Sequence, residues 1–248
     1  MQTIVISDCH GHPELVAAAL DDAGFEQGRD RLVFAGDFLD RGPRPAECLT
    51  LLEDAGAELL LGNHDAAILF GQPIWPQDAV SWRFAPRLLD GFLAGEWQLA
   101  AAAHGVLITH AGVTLEVAGL RDAAAHLKVD ADGLADTLNA RFRSAALKAL
   151  AGETDHHPLL GERGPLWLRP HQLHPWDLPA VPQIIGHTDA RSVDADALAG
   201  LGVHLVDPGV SSLLPGARPR RFRYAVVDED GVRVVDRRMT AARDLLAS

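Results

Sequence analysis

The chain has 248 residues, 48% of them hydrophobic, and a formal net charge of −12. This acidic balance disfavours a sequence-independent nucleic-acid binder, because such proteins neutralise phosphates with Lys and Arg. No apolar run approaches the ~20 residues of a membrane-spanning helix, and the first polar motif begins at Ser7, which leaves no room for a signal peptide. We therefore expect a cytoplasmic protein that binds neither nucleic acid nor membrane.

The length favours one domain over residues 1–248, because a chain of this size can bury one large core. We expect helical excursions from it at about 71–103 and 114–165, and two domains are the alternative. A cytosolic setting favours free thiols at the two cysteines, Cys9 and Cys48.

Three successive βα units open the chain. The predicted strands are Thr3 to Ile6, Leu32 to Ala35 and Glu58 to Leu61, and the predicted helices are Pro13 to Gly24, Pro45 to Ala55 and Asp65 to Phe70. Such a succession predicts a mostly parallel sheet with right-handed crossovers.

The pattern weakens from Gly71 to Glu96, where large aromatic residues concentrate. We interpret residues 71–97 as part of a short helical excursion whose aromatic side chains pack onto the body. A wall that faces the substrate is the alternative.

The second half predicts strands at Val106 to Ile108 and Gln183 to Ile185, with an amphipathic helix from Gly133 to Gly152 between them. The tail from Gly202 to Arg238 is rich in β-forming residues and contains a hairpin turn at Glu229, Asp230 and Gly231. We expect this tail to build a second sheet.

Five polar blocks occur along the chain, most of them directly after a predicted strand. They are SDCHG from Ser7, GDFLDRG from Gly36, GNHD from Gly62, THAG from Thr109 and GHTD from Gly186. Ligands of layered α/β proteins bind beyond the carboxyl ends of the strands, so we expect these blocks to converge.

The blocks supply two Asp, three His and one Asn, which are enough ligands for two divalent metal ions. We expect Asp8 and His10 on one ion, Asp37 as the bridge, and Asn63, His110 and His187 on the other ion. Mixed oxygen and nitrogen ligands suit Mn²⁺, our first expectation, or Fe or Zn²⁺. Taken singly, each residue could instead be a helix cap, a turn residue or a hydrogen-bonded core His.

Over roughly Ile4 to Gly209 the blocks resemble the metallophosphoesterase (calcineurin-like) superfamily, and GDFLDRG resembles its phosphoprotein phosphatase branch. That branch includes bacterial serine/threonine phosphatases and symmetrical dinucleoside tetraphosphate hydrolases. The resemblance implies an α/β fold of two facing mixed β-sheets flanked by helices. It also implies hydrolysis of phosphate esters by a metal-activated hydroxide.

The resemblance further implies catalytic roles for four side chains. His64 would protonate the leaving group, Asp40 would orient the His64 ring, and Arg41 would clamp phosphate oxygens. The segment LWLRP at Leu166 to Pro170 is similar to one that carries a second phosphate-binding arginine, which would be Arg169. A surface arginine is the alternative for Arg169.

Four further residues lie in or near these blocks. We expect Asp65 to cap a helix that begins at Ala66, and Asp189 to face solvent or cap a turn. Asp207 either supports a metal ligand or forms a plain turn, and Cys9 is interpreted as a core side chain rather than a ligand.

Three functions follow from this interpretation. The first is hydrolysis of phosphate monoesters in the manner of a phosphoprotein (Ser/Thr) phosphatase, and the second is hydrolysis of a dinucleoside polyphosphate of the Ap4A type. The third is a scaffold that binds metal without catalysis. The presence of Asp40, Arg41 and His64 argues against the scaffold.

Overall fold

The computed structural model describes residues 1–120, 130–153, 157–213 and 216–239, and its framework is two β-sheets with helices outside them. The strands are β1 (Thr3–Ile6), β2 (Arg31–Phe34), β3 (Glu58–Leu60), β4 (Trp97–Gln98), β5 (Ala100–Ala103), β6 (Val106–Thr109), β7 (Gln183–Ile185), β8 (Val203–Leu205), β9 (Arg221–Asp228) and β10 (Gly231–Arg238). The helices are α1 (Pro13–Ala23), α2 (Pro45–Asp54), α3 (Asn63–Leu69), α4 (Ala85–Ala94), α5 (Leu115–Ala118), α6 (Ala131–Leu150) and α7 (Ala195–Gly200). Short 3₁₀ turns occupy Ser81–Phe84, Pro158–Leu160, Pro170–Gln172, Pro175–Asp177, Ala190–Ser192 and Val210–Ser212.

The first sheet has the order β10-β9-β1-β2-β3-β4, and its four strands from β1 to β4 run parallel. The second sheet has the order β5-β6-β7-β8, in which β6, β7 and β8 are parallel. Together with the flanking helices, the two mixed sheets confirm the predicted fold class.

The two sheets face each other across a core of small and β-branched side chains. Val5 and Val33 of the first sheet belong to the same buried cluster as Ala101, Ile108 and Ile184 of the second. Alternate residues of a strand point to opposite faces, so the intervening residues of β1 and β2 pack against α1 and α2 instead. The sheets therefore hold the carboxyl ends of their parallel strands in fixed positions.

The first helix begins and ends where its sequence predicts. Pro13 occupies the first turn, where a missing N–H costs no intrahelical hydrogen bond. Gly24 ends the helix in the left-handed conformation, with φ of 61°.

Within the described residues, every helix is too short or too polar to span a membrane.

Two expectations about the fold are wrong in part. The β9–β10 hairpin extends the first sheet through an antiparallel pairing of β9 with β1, and only β8 of the tail joins the second sheet. Phe222 packs with the cluster around α1 while Ala225 packs between the sheets, so β9 is apolar on both faces, as an internal strand requires.

The segment 71–103 is helical only over Ser81–Ala94 and ends in strands β4 and β5, one in each sheet. Its last residues, Ala100 to Ala103, are small and buried, which lets them pass between α6 and the opposite sheet. In the segment 114–165, residues 121–129 and 154–156 lie outside the described part of the chain.

Candidate active site

The carboxyl ends of five parallel strands bring the six predicted metal ligands to one place. Asp8 and His10 follow β1, Asp37 follows β2, Asn63 opens α3 after β3, and the remaining two ligands, His110 and His187, follow β6 and β7. All six side chains are buried. Burying this many ionisable groups is costly unless they are paired or bind metal.

The backbone at these residues is strained. Six of the seven non-glycine residues with positive φ in the described part of the chain are predicted site residues, with φ between 42° and 71°. They are Asp8, His10, Asp37, Asp40, Arg41 and His187. Such conformations cost about 1–3 kcal/mol each and cluster where function requires a side chain to be aimed.

Asp37 lies at the centre of the cluster. One potential ligand atom from each of Asp8, Asp37 and His110 falls within 4.8 Å of the others, and the same holds for His10, Asp37 and His64. Its Oδ2 is 3.6 Å from the Nε2 atoms of both His10 and His110. The structure thus places Asp37 where one carboxylate can serve two ions.

Backbone carbonyls fix the orientation of two imidazole rings. The Nδ1 atom of His10 lies 2.7 Å from the carbonyl oxygen of Leu39, and that of His110 lies 2.8 Å from the carbonyl oxygen of Ala35. A ring that donates its Nδ1 proton to a carbonyl presents an unprotonated Nε2, which is the form that binds metal.

The donor set fits a cation beside His110. Its Nε2 lies 2.9 Å from the Oδ1 of Asn63 and 3.2 Å from the Nδ1 of His187. With the His110 proton used on Ala35, lone pairs face each other at these distances. A divalent cation among these atoms would turn that repulsion into attraction, so these residues fit a metal site.

The pKa shifts agree with a site prepared for cations. Burial, followed by the charges of Asp207 and Asp37, raises the pKa of Asp8 well above its usual value. Burial also lowers the pKa of His10 to about 3 and lowers the pKa values of His110 and His187. The imidazoles therefore stay neutral, and the carboxylate of Asp8 lacks sufficient positive partners within the protein.

His64 and Asp40 form a tight pair at the edge of this cluster. The Nδ1 of His64 lies 2.5 Å from the Oδ2 of Asp40, and both residues are buried. Burial lowers the pKa of His64, but the charges of Asp37 and Asp40 outweigh that effect and raise the pKa overall. The Nη2 of Arg41 lies 3.4 Å from the Nε2 of His64, so the free edge of the ring shares a space with a guanidinium.

Arg169 reaches the opposite side of the cluster. Its Nη1 donates to the carbonyl oxygen of His187 at 2.9 Å and lies 3.2 Å from the Oγ1 of Thr188. Burial lowers its pKa, against the raising effects of Asp207, Asp8 and Asp37. The structure therefore brings all four predicted catalytic side chains, His64, Asp40, Arg41 and Arg169, around the ligand cluster.

Two glycines in the polar blocks are needed for close approach. A Cβ atom on Gly62 would overlap the carboxylate of Asp37, and one on Gly186 would overlap the carboxylate of Asp8. Neither glycine has a positive φ, so the constraint is space and not backbone conformation.

The expected start of α3, at Asp65 or Ala66, is wrong by two or three residues. The helix begins at Asn63, because Asp65 in its first turn accepts from the N–H of Gly62 at 3.1 Å and from the N–H of Asp37 at 2.7 Å. Burial and the charge of Asp37 raise the pKa of Asp65 to about 7. Asp65 therefore ties the loop after β2 to the start of α3, in addition to capping the helix.

The other neighbouring residues follow one of their two interpretations. Asp189 caps a 3₁₀ turn by accepting from the N–H of Arg191 at 3.0 Å. Asp207 accepts from the N–H of Gly209 at 2.6 Å, as in a turn, and its charge also acts on Asp8.

Cys9 is fully buried, and burial followed by Cys48 raises its pKa, which disfavours the thiolate that metal binding needs. Both cysteines are free.

Two residues that the sequence analysis did not single out hold Asp40 in place. The Oγ of Ser81 accepts from the N–H of Asp40 at 3.0 Å, and the Oδ1 of Asp40 accepts from the N–H of Asp78 at 3.1 Å. The carboxylate of Asp78 in turn accepts from the N–H of Ser81 at 2.8 Å. The segment 71–97 thus supports the His64 partner, and no motif in that segment marks these two residues.

Comparison with known protein families identifies the family of the chain. The family model of the calcineurin-like phosphoesterases matches residues 1–188, which is most of the chain. The chain belongs to the calcineurin-like phosphoesterase family. This membership confirms the resemblance found in the motifs, and with it the enzyme class of the family, hydrolases of phosphoester bonds.

Curated relatives match part of the chain. The "bis(5'-nucleosyl)-tetraphosphatase, symmetrical" of Actinobacillus pleuropneumoniae serotype 5b (strain L20) is 31% identical over 126 residues, 47% of each chain. The protein of the same name from Psychromonas ingrahamii is 37% identical over 71 residues, 28% of this chain and 26% of its own length. The chain therefore matches about half or less of the length of these relatives.

Solved structures share the fold over nearly the whole chain. A metallophosphoesterase from Sphaerobacter thermophilus has a TM-score of 0.50 and 18% identity, covering 100% of this chain and 93% of its own. A protein serine/threonine phosphatase from Saccharomyces cerevisiae has a TM-score of 0.52 and 14% identity, covering 97% and 80%. At these identities the likeness establishes the fold.

Proposed function

We propose that this chain is a metal-dependent phosphoesterase that hydrolyses a dinucleoside polyphosphate. The observation that carries the hydrolytic part is the convergence of the His64–Asp40 pair on Asp37, which also lies close to potential ligand atoms of Asp8, His10 and His110. Hydrolysis of a phosphoester needs charge neutralisation and a proton for the leaving oxygen. This arrangement offers side chains for both.

Two divalent ions would be held by Asp8, His10, Asp37, Asn63, His110 and His187, and they supply charge neutralisation and a water acidified for attack on phosphorus. We propose Mn²⁺ as the native metal, because carboxylate, imidazole and amide ligands occur together in the set. The buried carboxylates of Asp8 and Asp37 give the site the negative charge that such ions require.

The protein side chains would handle the phosphate and the proton. Arg41 and Arg169 hold phosphate oxygens from two sides, since a guanidinium is always charged and offers paired donors. His64 donates its Nε2 proton to the departing oxygen, and Asp40 keeps the imidazole oriented and favours its charged form. These roles argue for an enzyme over a scaffold that only binds metal.

The relatives named symmetrical bis(5'-nucleosyl)-tetraphosphatases support the choice of substrate. A dinucleoside polyphosphate also suits a centre with two arginines, since its phosphate chain carries more negative charge than a phosphate monoester. Hydrolysis of phosphoproteins, the first expectation from the motifs, stays a prediction that the same experiment tests.

The test is a substrate panel on the Mn²⁺-reconstituted protein, comparing diadenosine tetraphosphate, a phosphopeptide, an aryl monoester and an aryl diester. We expect the highest kcat/KM for diadenosine tetraphosphate. A preference for the phosphopeptide would replace our substrate with a phosphoprotein, and a preference for the aryl diester would contradict the placement in this branch. Absence of turnover with metal bound would favour the scaffold.

A further inference from the structure

A cleft of about 510 Å³ opens beside the candidate metal centre. Its lining comes from α3 with the residues that follow it, from the end of α6 with Gly152 and Glu153, and from residues 157–167. Asn63, one of the proposed metal ligands, lines the cleft. Its volume falls in the range of small-molecule binding sites, which is roughly 300–1,000 Å³.

The wall of this cleft is mainly aromatic and apolar. Its apolar lining includes Phe70, Ile74, Leu160, Leu166 and Trp167. Phe70 and Trp167 are half-buried, so part of each ring is open to the cleft. Flat, partly exposed rings that face a cavity offer the stacking surfaces that a planar heterocycle uses.

Trp167 connects the cleft to the metal centre. Its ring meets that of His187 edge-on, with the centroids 6.1 Å apart and the planes at 88°. A substrate that extends from the phosphate position near Arg169 into the cleft would therefore pass along the Trp167 ring.

The charge of the cleft indicates which end of a substrate it takes. Among the described residues that line it there is neither Lys nor Arg, and its ionisable side chains are those of Glu153 and His157. The cleft thus offers phosphate no guanidinium or ammonium group, whereas Arg41 and Arg169 favour phosphate at the centre. The amide of Gln72 and the carboxylate of Glu153 offer hydrogen-bond partners to the polar edge of an uncharged ring.

From this combination we infer that the cleft lined by Phe70 and Trp167 is a nucleobase-binding site, which holds one base of the substrate while its phosphates lie at the metal centre. This inference rests on the proposed function and names the residues that select a nucleotide. Phe70 is the specificity-determining residue that can be tested most directly, because Trp167 also contacts His187 and its removal would disturb the metal centre.

The experiment uses the full chain reconstituted with Mn²⁺. For each variant we compare the KM for diadenosine tetraphosphate with the inhibition constant of inorganic tetraphosphate, which offers a similar phosphate chain without a base. Phe70→Ala should raise the KM for diadenosine tetraphosphate roughly tenfold more than it raises the inhibition constant, because base stacking on one aromatic ring has about this weight. Phe70→Tyr, which keeps the ring, should restore the KM to within about twofold of the wild type.

Two further variants separate binding from folding. Trp176→Ala removes a ring that is 78% exposed and does not line the cleft, and both constants should stay at their wild-type values. If Phe70→Ala melts at a much lower temperature, Phe70→Leu keeps an apolar side chain of similar length without a ring, and the KM ratio should still rise.

Three results would overturn the inference. An unchanged KM ratio in both Phe70→Ala and Phe70→Leu, with the wild type active on diadenosine tetraphosphate, would remove the cleft from substrate binding and leave the proposed function intact. A wild type that prefers the phosphopeptide, with a KM for that peptide that rises in Phe70→Ala, would assign the cleft to a peptide side chain. A wild type without activity on diadenosine tetraphosphate would end both proposals.

Discussion

The Nδ1 atom of His64 lies 2.5 Å from the Oδ2 atom of Asp40, and the carboxylate of Asp40 is fully buried. This contact orients the ring so that its Nε2 faces the space shared with Arg41. A His held in this way can act only through one nitrogen, which makes its contribution to catalysis separable from metal binding.

We expect His64→Asn to lower kcat by about two to four orders of magnitude, the usual weight of general acid catalysis. Metal content should stay close to that of the wild type, because six other residues supply the proposed ligands. Steady-state kinetics with elemental analysis of the same preparation checks both. Turnover at the wild-type rate would remove His64 from the mechanism.

Asp40→Asn should move the alkaline limb of the kcat/KM profile to lower pH. Burial lowers the pKa of His64, and the carboxylates of Asp37 and Asp40 raise it above its ordinary value. Loss of one carboxylate lets the pKa fall, so His64 loses its proton at a lower pH, and activity that needs the protonated ring declines earlier. A pH profile that keeps its alkaline midpoint would contradict this role of Asp40.

Ser81→Ala should lower kcat on the order of tenfold, with little change in KM or metal content. The hydroxyl of Ser81 accepts from the N–H of Asp40, and residues that orient catalytic or ligating groups typically have effects of this size. The readout that identifies positioning is the pH profile, whose alkaline midpoint should broaden or shift as Asp40 loosens. A loss of activity that only accompanies a loss of thermal stability, with the pH profile unchanged, would indicate a structural role alone.

Asp37→Asn should prevent binding of both ions, because the Asp37 carboxylate lies between His10 of one proposed ligand set and His110 of the other. We expect the metal content after Mn²⁺ reconstitution to fall from two ions per chain toward none, with activity lost in parallel. Asp90→Asn is the matched control, since Asp90 is exposed on α4 far from any proposed ligand in sequence. Loss of a single ion in Asp37→Asn would show that it does not bridge.

Gly62→Ala should destabilise the chain by about 1–3 kcal/mol, the usual cost of forced overpacking. The added methyl group overlaps the carboxylate of Asp37 and must displace it, so metal affinity should fall as well. In the control Gly200→Ala the new methyl group meets no atom within 4 Å, and a helical Ala is favoured over Gly by up to about 1 kcal/mol. Denaturant unfolding and metal titration of the two variants make the comparison. Equal stability would contradict the overlap.

The convergence of the proposed ligands could be predicted from the sequence because each follows a short apolar strand. Parallel strands end at one edge of a sheet, so Asp8 and Asp37 had to meet once β1 and β2 were recognised as neighbours. The sheet of the β9–β10 hairpin could not be predicted in the same way. Alternation along a strand indicates which residues face inward, but it does not indicate which strand lies alongside.

The residues that position the site could not be predicted from the sequence. Ser81 and Asp78 act through backbone N–H groups and occur in a segment without hydrophobic periodicity, so nothing in their spacing marks a role. The nucleobase cleft combines Phe70 with Trp167, nearly a hundred residues apart along the chain. Only the tertiary fold brings these two rings to one cavity.

The strained residues around the proposed metal centre affect how stable the protein is when no ions are bound. Asp8, His10, Asp37 and His187 adopt left-handed backbone conformations that an isolated chain would rarely choose, and the buried carboxylates of Asp8 and Asp37 repel each other. Ions that bind only the folded chain stabilise it by an amount that grows with the logarithm of their free concentration once that concentration exceeds the dissociation constant. Metal supply should therefore set how long the protein survives proteolysis, as well as how fast it turns over substrate.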